Sequence, residues 1–447
     1  MESFREPVLA ILKASLAEGE AYTKLIDLCT KAPHRLSGSE GADRAVAWAQ
    51  QQMEADGLEN VHLEPVIVPH WERGLTCRVT VANFRARGGE DLAAIALGGS
   101  IATPEGGITA EVMEVHSFEA LKERADEARG KIVFFNRPMD PSLFDSGAAY
   151  GGAVNQRTQG AVEAARVGAV ATLVRSMTTS LDDFPHTGAM RYTEGVPRIP
   201  SAAVSTLAAE RLSTWLAQGP VTLRMEQDCR WLEDKLSHNV IGELVGREKP
   251  DEILVVGGHL DGWDVGQGAH DDGSGCCQSI EVVRLLKSLG LRPRRTIRVV
   301  MFMNEENGLA GGRAYHQDHR DEMSRHLFAL ESDRGGFSPE GFSVQADPQT
   351  LAIIEAIGGL MEPAHCGKVT AGGGGADVSP MAQDGIVVAG LVTDSARYFD
   401  LHHSNRDTLE QVSERELNLG AGAMAALLYV LAEREDTLPH NSSKESR

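Results

Sequence analysis

From Leu236 onward, strand-like and helix-like stretches take turns along the chain, and this alternation constrains the fold more than any other feature. The runs 240–245, 253–257, 296–303, 326–330 and 386–392 are apolar at nearly every position, as strands covered on both faces must be. The stretches 275–289, 351–361 and 414–431 carry apolar residues at helical spacing. Strands alternating with helices imply an α/β fold, a layered sheet flanked by helices.

Ahead of Leu236 the rhythm differs. A helix is expected over 6–29, stopped by Ala32-Pro33, then a second one capped by Ser37 or Ser39 and ending at Gly57. Residues 61–71 alternate as a strand does. From about Asn83 come short β-rich runs (92–96, 110–115, 131–135, 170–174), Gly- and Pro-rich turns and one helix at 159–167. The chain's 447 residues exceed what one core usually serves. The expected division is 1–82 as the start of the main domain, 83–232 as a β-rich insert, 233–435 as the rest of the main domain, and 436–447 as a loose polar tail.

The net charge of -21 repels phosphate backbones, which argues against nucleic acid as a partner. No stretch approaches the roughly 20 apolar residues of a membrane span. Six scattered cysteines without a CxxC suit a reducing compartment, and Cys276-Cys277 read as buried thiols. The first residues lack the features of a secretory leader, so a cytoplasmic chain is expected as written, exported only if a leader has been removed.

Candidate ligands fall just after the strands' C-terminal ends, where open α/β sheets place their sites. His259 and Asp261, two apart on extended backbone, point to the same side, although such a pair also makes a solvated turn. Asp271 and Asp272, set among glycines, repel each other unless a cation neutralises them, and a surface turn is the alternative. Glu305 and Glu306 end a buried-looking strand and need compensation there. One can hold a metal while the other serves as base, or both can belong to a solvated loop. Asp333 follows the next strand, and the stretch Phe399-Asp400-Leu401-His402-His403 supplies late histidines. Each cluster has an ordinary account; five at successive sheet ends do not.

HLDGWDVGQGAHDDGSG, NEENGLAGG, ESDRGG and HHSNRDT, in this order, resemble the M28 family of two-zinc peptidases, above all its branch containing carboxypeptidase Q, the plasma glutamate carboxypeptidase type. HRLSGSEGADRAVAWA near the start and GGGGADVSP in a late loop extend the resemblance over nearly the whole chain. It implies a mixed central sheet of the zinc exopeptidase (phosphorylase/hydrolase-like) fold. It also implies that Asp271 bridges two Zn²⁺, that His259 and Asp333 complete one site, and that Glu306 and His403 complete the other. Glu305 would be the general base and Asp261 would orient His259. His403 is preferred to His402 because it directly precedes Ser404 in the family's H-[ST]-x-x-D-T pattern. Cobalt or manganese would be substitute metals.

GKIVFFNRP, AARVGAVATLVRS and VPRIPSAAVS resemble a protease-associated (PA) domain, which implies a roof over the active site. His186-Thr187-Gly188 within it reads as a surface turn, with a segment dipping toward the cleft as the alternative. The implied activity is aminopeptidase or dipeptidase action on dipeptides or short peptides. Gly373 and Gly374 would offer backbone N–H groups to a substrate carboxylate, and Tyr398 and His402 would line the pocket. A homodimer is the implied assembly, since family members often dimerise. The rivals are a glutaminyl cyclase-like acyltransferase, which uses one metal, a receptor-like binding protein without catalysis, and a sugar- or ester-acting hydrolase with the same metal ligands.

Overall fold

The computed structural model describes residues 1–85 and 88–441. These form two compact units. Met1–Val68, Asp234–Ser395 and the chain from Asp407 make the first; Pro69–Glu233 and Ala396–Arg406 make the second.

The helices of the first unit are α1 (Arg5–Glu18), α2 (Ala21–Lys31), α3 (Glu40–Ala55), α4 (Ser274–Ser288), α5 (Ala310–Asp318), α6 (Pro348–Gly358) and α7 (Glu414–Glu433). Its strands are β1 (Glu59–Val68), β2 (Lys235–Leu244), β3 (Lys249–His259), β4 (Arg295–Phe302), β5 (His326–Glu331), β6 (Pro339–Gln345), β7 (Lys368–Ala371) and β8 (Val387–Thr393). They build one mixed sheet in the order β1-β2-β4-β3-β5-β8-β6-β7. The four central strands β4, β3, β5 and β8 run parallel, so their C-terminal ends share one edge. Outer pairs β1/β2, β2/β4 and β8/β6 are antiparallel.

Both sheet faces are covered. Leu254, Val256, Ile297, Val299, Phe328 and Leu330 enter one core with residues of α1 to α4, α6 and α7. Their sequence neighbours Ile253, Val255, Val300, Phe302 and Ala329 enter another with Tyr315 of α5. This period-two split between two interiors is why the strands read as unbroken apolar runs. Truncating one such residue to alanine would cost about 2–5 kcal/mol.

The helix expected over 6–29 is two helices. Gly19 takes an extended conformation between them, and the Glu20 N–H donates to Glu281 Oε1 at 2.9 Å instead of continuing the helical ladder. Ser39 caps α3, its hydroxyl accepting the Ala42 N–H at 3.1 Å. Residues 436–441 of the expected loose tail are held by the first unit. Leu438 is buried in the main core, the Arg295 guanidinium donates to Thr437 Oγ1 at 3.0 Å, and Asn441 Oδ1 accepts the Asp347 N–H at 2.9 Å. The rest of the expected tail, 442–447, lies outside the described residues.

The second unit begins at Pro69 rather than Asn83, because Cys77–Asn83 pairs with Thr222–Gln227 and Trp71–Glu72 pairs with Arg230–Trp231. Ile108–Val115, Ile132–Phe135, Ala171–Arg175 and Ser201–Val204 form a parallel run within its eight-stranded sheet. Helices contribute as much as strands. Thr206–Leu216, capped by Ser205, buries Ala208, Ala209, Leu212 and Trp215 in this unit's core. That stretch escapes a sequence reading tuned to β-runs. Among the described residues no helix is long and apolar enough to cross a membrane.

Candidate metal centre

Three neighbouring strands deliver the chemistry to one edge of the first unit. β3 ends at His259, whose register partner on β4 is Phe302, and Gly257 of β3 is opposite Glu331 of β5. Loops leaving these ends therefore start side by side.

The loop after β3 is held by buried polar groups. The Arg35 guanidinium, fully buried, donates to the carbonyls of Leu260, Gln267 and Gly268 at 2.8, 2.7 and 2.7 Å. Asp407 accepts the N–H groups of His270 and Asp271 at 2.7 and 3.1 Å. Asp272 accepts the His259 N–H and the Gly275 N–H, both at 3.0 Å, tying the strand end to the first turn of α4. A β-carbon at Gly275 would lie 1.9 Å from the Ser332 carbonyl oxygen, so only glycine lets α4 approach the loop after β5. The Asp271-Asp272 peptide bond is cis.

His259 Nε2 stands 3.2 Å from Asp271 Oδ1 and 3.3 Å from Asp333 Oδ1. The donor atoms of these three residues all lie within 4.8 Å of one another. Atoms bound at about 2.0–2.1 Å to a tetrahedral zinc stand roughly 3.3 Å apart, so the spacing fits that ion. Imidazole nitrogen with carboxylate oxygen is also a zinc donor set. The neighbouring Cys276 thiol donates to the His259 carbonyl at 3.1 Å, in keeping with a core thiol.

Electrostatics point the same way. Burial alone would lower the His259 pKa, yet Asp333 and Asp271 beside it raise it well above the imidazole range. Burial pushes the Glu305 and Asp272 carboxyls well above their usual range; the His259 ring offsets part of this, while Asp333 and the other acids add to it. Glu331 is pushed up to about 8 by burial and by Asp333. Carboxyls crowded like this ionise together only when a cation offsets them.

Asp261 does something the sequence did not suggest. Its carboxylate lies 3.9 Å from His259 Nδ1, beyond hydrogen-bond distance. The nearer acceptor is the Asp261 backbone carbonyl, at 3.1 Å. The carboxylate instead accepts the N–H groups of Asn304 and Glu305 at 2.8 and 3.0 Å, fixing the turn that carries Glu305. Asn304 takes a left-handed conformation, φ 75°, within that turn. Glu306, the next residue, is buried and is not one of the close group of three.

Tyr398, His402 and His403 lie on Ala396–Arg406, which folds with the second unit and not with 233–435. The cause is local. Phe399 stacks on Tyr150 at 4.6 Å, the Thr187 N–H donates to the His403 carbonyl at 2.9 Å, and Arg406 donates to Asp182 at 3.0 Å. His403 Nδ1 lies 3.4 Å from the Thr187 carbonyl and 3.5 Å from Arg157 Nη1.

Gly373 and Gly374 sit on the loop after β7, in the first unit. A β-carbon at Gly373 would meet open space, whereas one at Gly375 would lie 2.1 Å from Glu331 Cδ. Sequence reasoning gave no role to the acids that meet here, Glu331 at the end of β5 and Asp377 on the loop itself. Glu331 Oε2 accepts the Val378 N–H at 3.0 Å, and Asp377 Oδ1 accepts the Gly312 N–H at 3.2 Å. Burial and then Glu331 push the Asp377 carboxyl well up. The signal was available in ESDRGG, whose first acid belongs to the strand itself.

Residues 239–428 match the model of peptidase family M28. Carboxypeptidase Q of Homo sapiens is 40% identical over 426 residues, covering 95% of this chain and 88% of its own length. A peptidase M28 precursor from Shewanella amazonensis has a similar structure, with TM-score 0.94, 32% identity, and coverage of 99% of this chain and 100% of that one. A zinc aminopeptidase from Bacillus subtilis shares the fold, with TM-score 0.68 and 20% identity over 95% of this chain and 98% of its own.

Proposed function

The chain belongs to peptidase family M28, and from that premise we propose that it is a two-zinc exopeptidase cleaving the N-terminal peptide bond of dipeptides or short peptides. The observation that carries the reading is His259 Nε2 held at 3.2 and 3.3 Å from Asp271 and Asp333, with Glu305 fixed beside them through Asp261. One ion would be held by His259, Asp271 and Asp333. The second would share Asp271 and take Glu306 and His403, as the resemblance assigns them.

When bound, the zinc pair supplies Lewis acidity: it lowers the pKa of water toward about 7 and polarises the scissile carbonyl. Glu305 takes the proton from the attacking water and passes it to the leaving amine. Asp261 holds the backbone on either side of the Asn304-Glu305 bond, so the carboxylate of Glu305 stays aimed. Asp407 and Arg35 keep the loop bearing Asp271 in place. Gly373 and Gly374 offer N–H groups to a substrate carboxylate, and Tyr398 and His402 line the pocket.

Relatives named carboxypeptidase and fold neighbours named aminopeptidase are compatible on one substrate class. In a dipeptide the N-terminal and C-terminal peptide bonds are the same bond. The test combines elemental analysis with a substrate panel. Two zinc ions per chain, cleavage of unblocked dipeptides and no cleavage of their N-acetylated forms are expected. Turnover of the blocked peptides would remove the free-amine requirement, and pyroglutamate release from an N-terminal glutamine peptide would favour the cyclase instead.

A further inference from the structure

Taking His403 as a ligand of the second zinc, we propose that the second unit is the scaffold that aims this histidine, with His186 as its positioning residue. The proposal rests on the two-zinc reading above and on contacts made wholly within the second unit.

His403 sits in the left-handed backbone region, φ 59°. A residue with a β-carbon enters that region rarely and stays there only when its surroundings fix it. Two consecutive residues do the fixing. His186 Nδ1 donates to the His402 carbonyl at 2.6 Å, and the Thr187 N–H donates to the His403 carbonyl at 2.9 Å. Because a carbonyl can only accept, the first bond assigns the His186 proton to Nδ1.

His186 is itself tied to the sheet. Its backbone N–H donates to Ser176 Oγ at 2.8 Å, and that hydroxyl donates to the carbonyl of Val204, the last residue of strand Ser201–Val204, at 2.7 Å. A continuous chain of bonds thus runs from a sheet strand through Ser176 and His186 to the backbone of the histidine turn. Both His186 and Thr187 are buried, so the segment that read as a surface turn is interior.

The same turn is pinned on either side. Thr178 and Thr179 donate to Asp400 Oδ1 at 3.3 and 3.1 Å, and Arg406 donates to Asp182 Oδ2 at 3.0 Å. The His402 and His403 rings stack at 3.5 Å, so fixing one backbone unit constrains both side chains. A ligating imidazole must be held to within about 0.5 Å, and groups that orient such a ring typically change metal affinity by about 10–100-fold.

Zinc titration against a competing chelator, with elemental analysis, tests the proposal on the full-length protein. Wild type should bind two zinc ions and His403→Ala one. His186→Ala should bind the first normally and the second about 10–100-fold more weakly. His186→Asn, whose amide N–H takes the place of Nδ1–H, should recover most of that loss. Melting of the zinc-free proteins separates positioning from folding: the zinc-dependent rise in Tm should shrink in His186→Ala while the zinc-free Tm stays close to wild type. Should His186→Ala fail to fold, Arg406→Ala releases the other end of the turn from a half-buried position and should weaken the second ion in the same way. Two ions bound at wild-type affinity by these variants would overturn the proposal. Two ions retained by His403→Ala would instead strike at the ligand set, and this inference would fall with it.

Discussion

Around His259 the carboxyls of Asp261, Asp271, Asp272, Glu305 and Asp333 crowd an imidazole, whereas beside helix α5 of the same unit the acids share cations within hydrogen-bond reach. There Arg298 donates to Glu243 and Glu322 at 2.7 Å each, and His319 bridges Glu322 and Glu64 at 2.5 and 2.9 Å. Tyr315 OH meets His326 Nε2 at 2.8 Å. Both clusters set acids against a histidine, yet the one beside α5 also holds an arginine and is balanced within the chain, while the more deeply buried one around His259 is not. A balanced network lowers the energy of the fold it sits in. An unbalanced one costs stability and is retained for what it binds.

The sharpest way to break this comparison is to cut one acid from the unbalanced side. Glu305→Gln should lower kcat by about 10³-fold, the scale of a lost general base. Zinc content should stay at the wild-type value. Its Tm should hold or rise, because a half-buried carboxyl pushed upward in pKa is replaced by a neutral amide. Steady-state kinetics, elemental analysis and calorimetry on one preparation would check all three, and a fully active variant would take the role of base away from Glu305.

A smaller effect is expected at Asp261, which acts through the backbone of its neighbour. Asp261→Ala removes the acceptor for the Asn304 and Glu305 N–H groups and should lower kcat by about 10–100-fold with KM little changed. Asp261→Asn keeps one oxygen in place and should fall between the two. Equal losses in both variants would mean that the charge, and not the acceptor geometry, matters.

How much of this was legible in the sequence depended on whether the signal was local. His259 and Asp333 could be picked out because each falls at or just past the end of an apolar strand, and Asp271 because its acidic pair sits among glycines ahead of an apolar helix; parallel strands necessarily gather their C-terminal ends. Period-two burial on two faces likewise made β2, β3, β4, β5 and β8 visible. Strand β7, at the sheet margin with three of its four residues exposed, left no such trace. The partnership of Glu331 with the loop holding Asp377 was invisible because nothing near either acid specifies the other. Gly375 was seen as part of a glycine run, but the reason for it, the carboxyl packed against its α-carbon, exists only in three dimensions. The same holds for Ala396–Arg406. Its histidines were read from a motif, while the residues that hold them come from positions 150 to 187.

The balanced network supplies the mildest test. Burial would lower the His319 pKa, but hydrogen bonds and charge from Glu64, then Glu322, outweigh it and raise the value above the usual imidazole range. A histidine raised on folding adds stability that is fully present below its unfolded pKa of about 6.5 and is lost as pH rises through the folded value. Glu322 is held down to about 2: burial alone would raise it, but Arg298 and then His319 outweigh that, so its contribution disappears only as pH falls toward that value. His326 runs the other way, since burial lowers it to about 4 and its neutral form is favoured above that pH. Comparing wild type with His319→Gln removes most of the His326 contribution, because burial is the first cause of its shift. The stability gap should be about 1–2 kcal/mol near pH 5.5 and should narrow as pH climbs past 6.5, with kcat unchanged throughout. A gap that widens with pH, or a loss of turnover, would place His319 with the working cluster and erase the distinction drawn between the two.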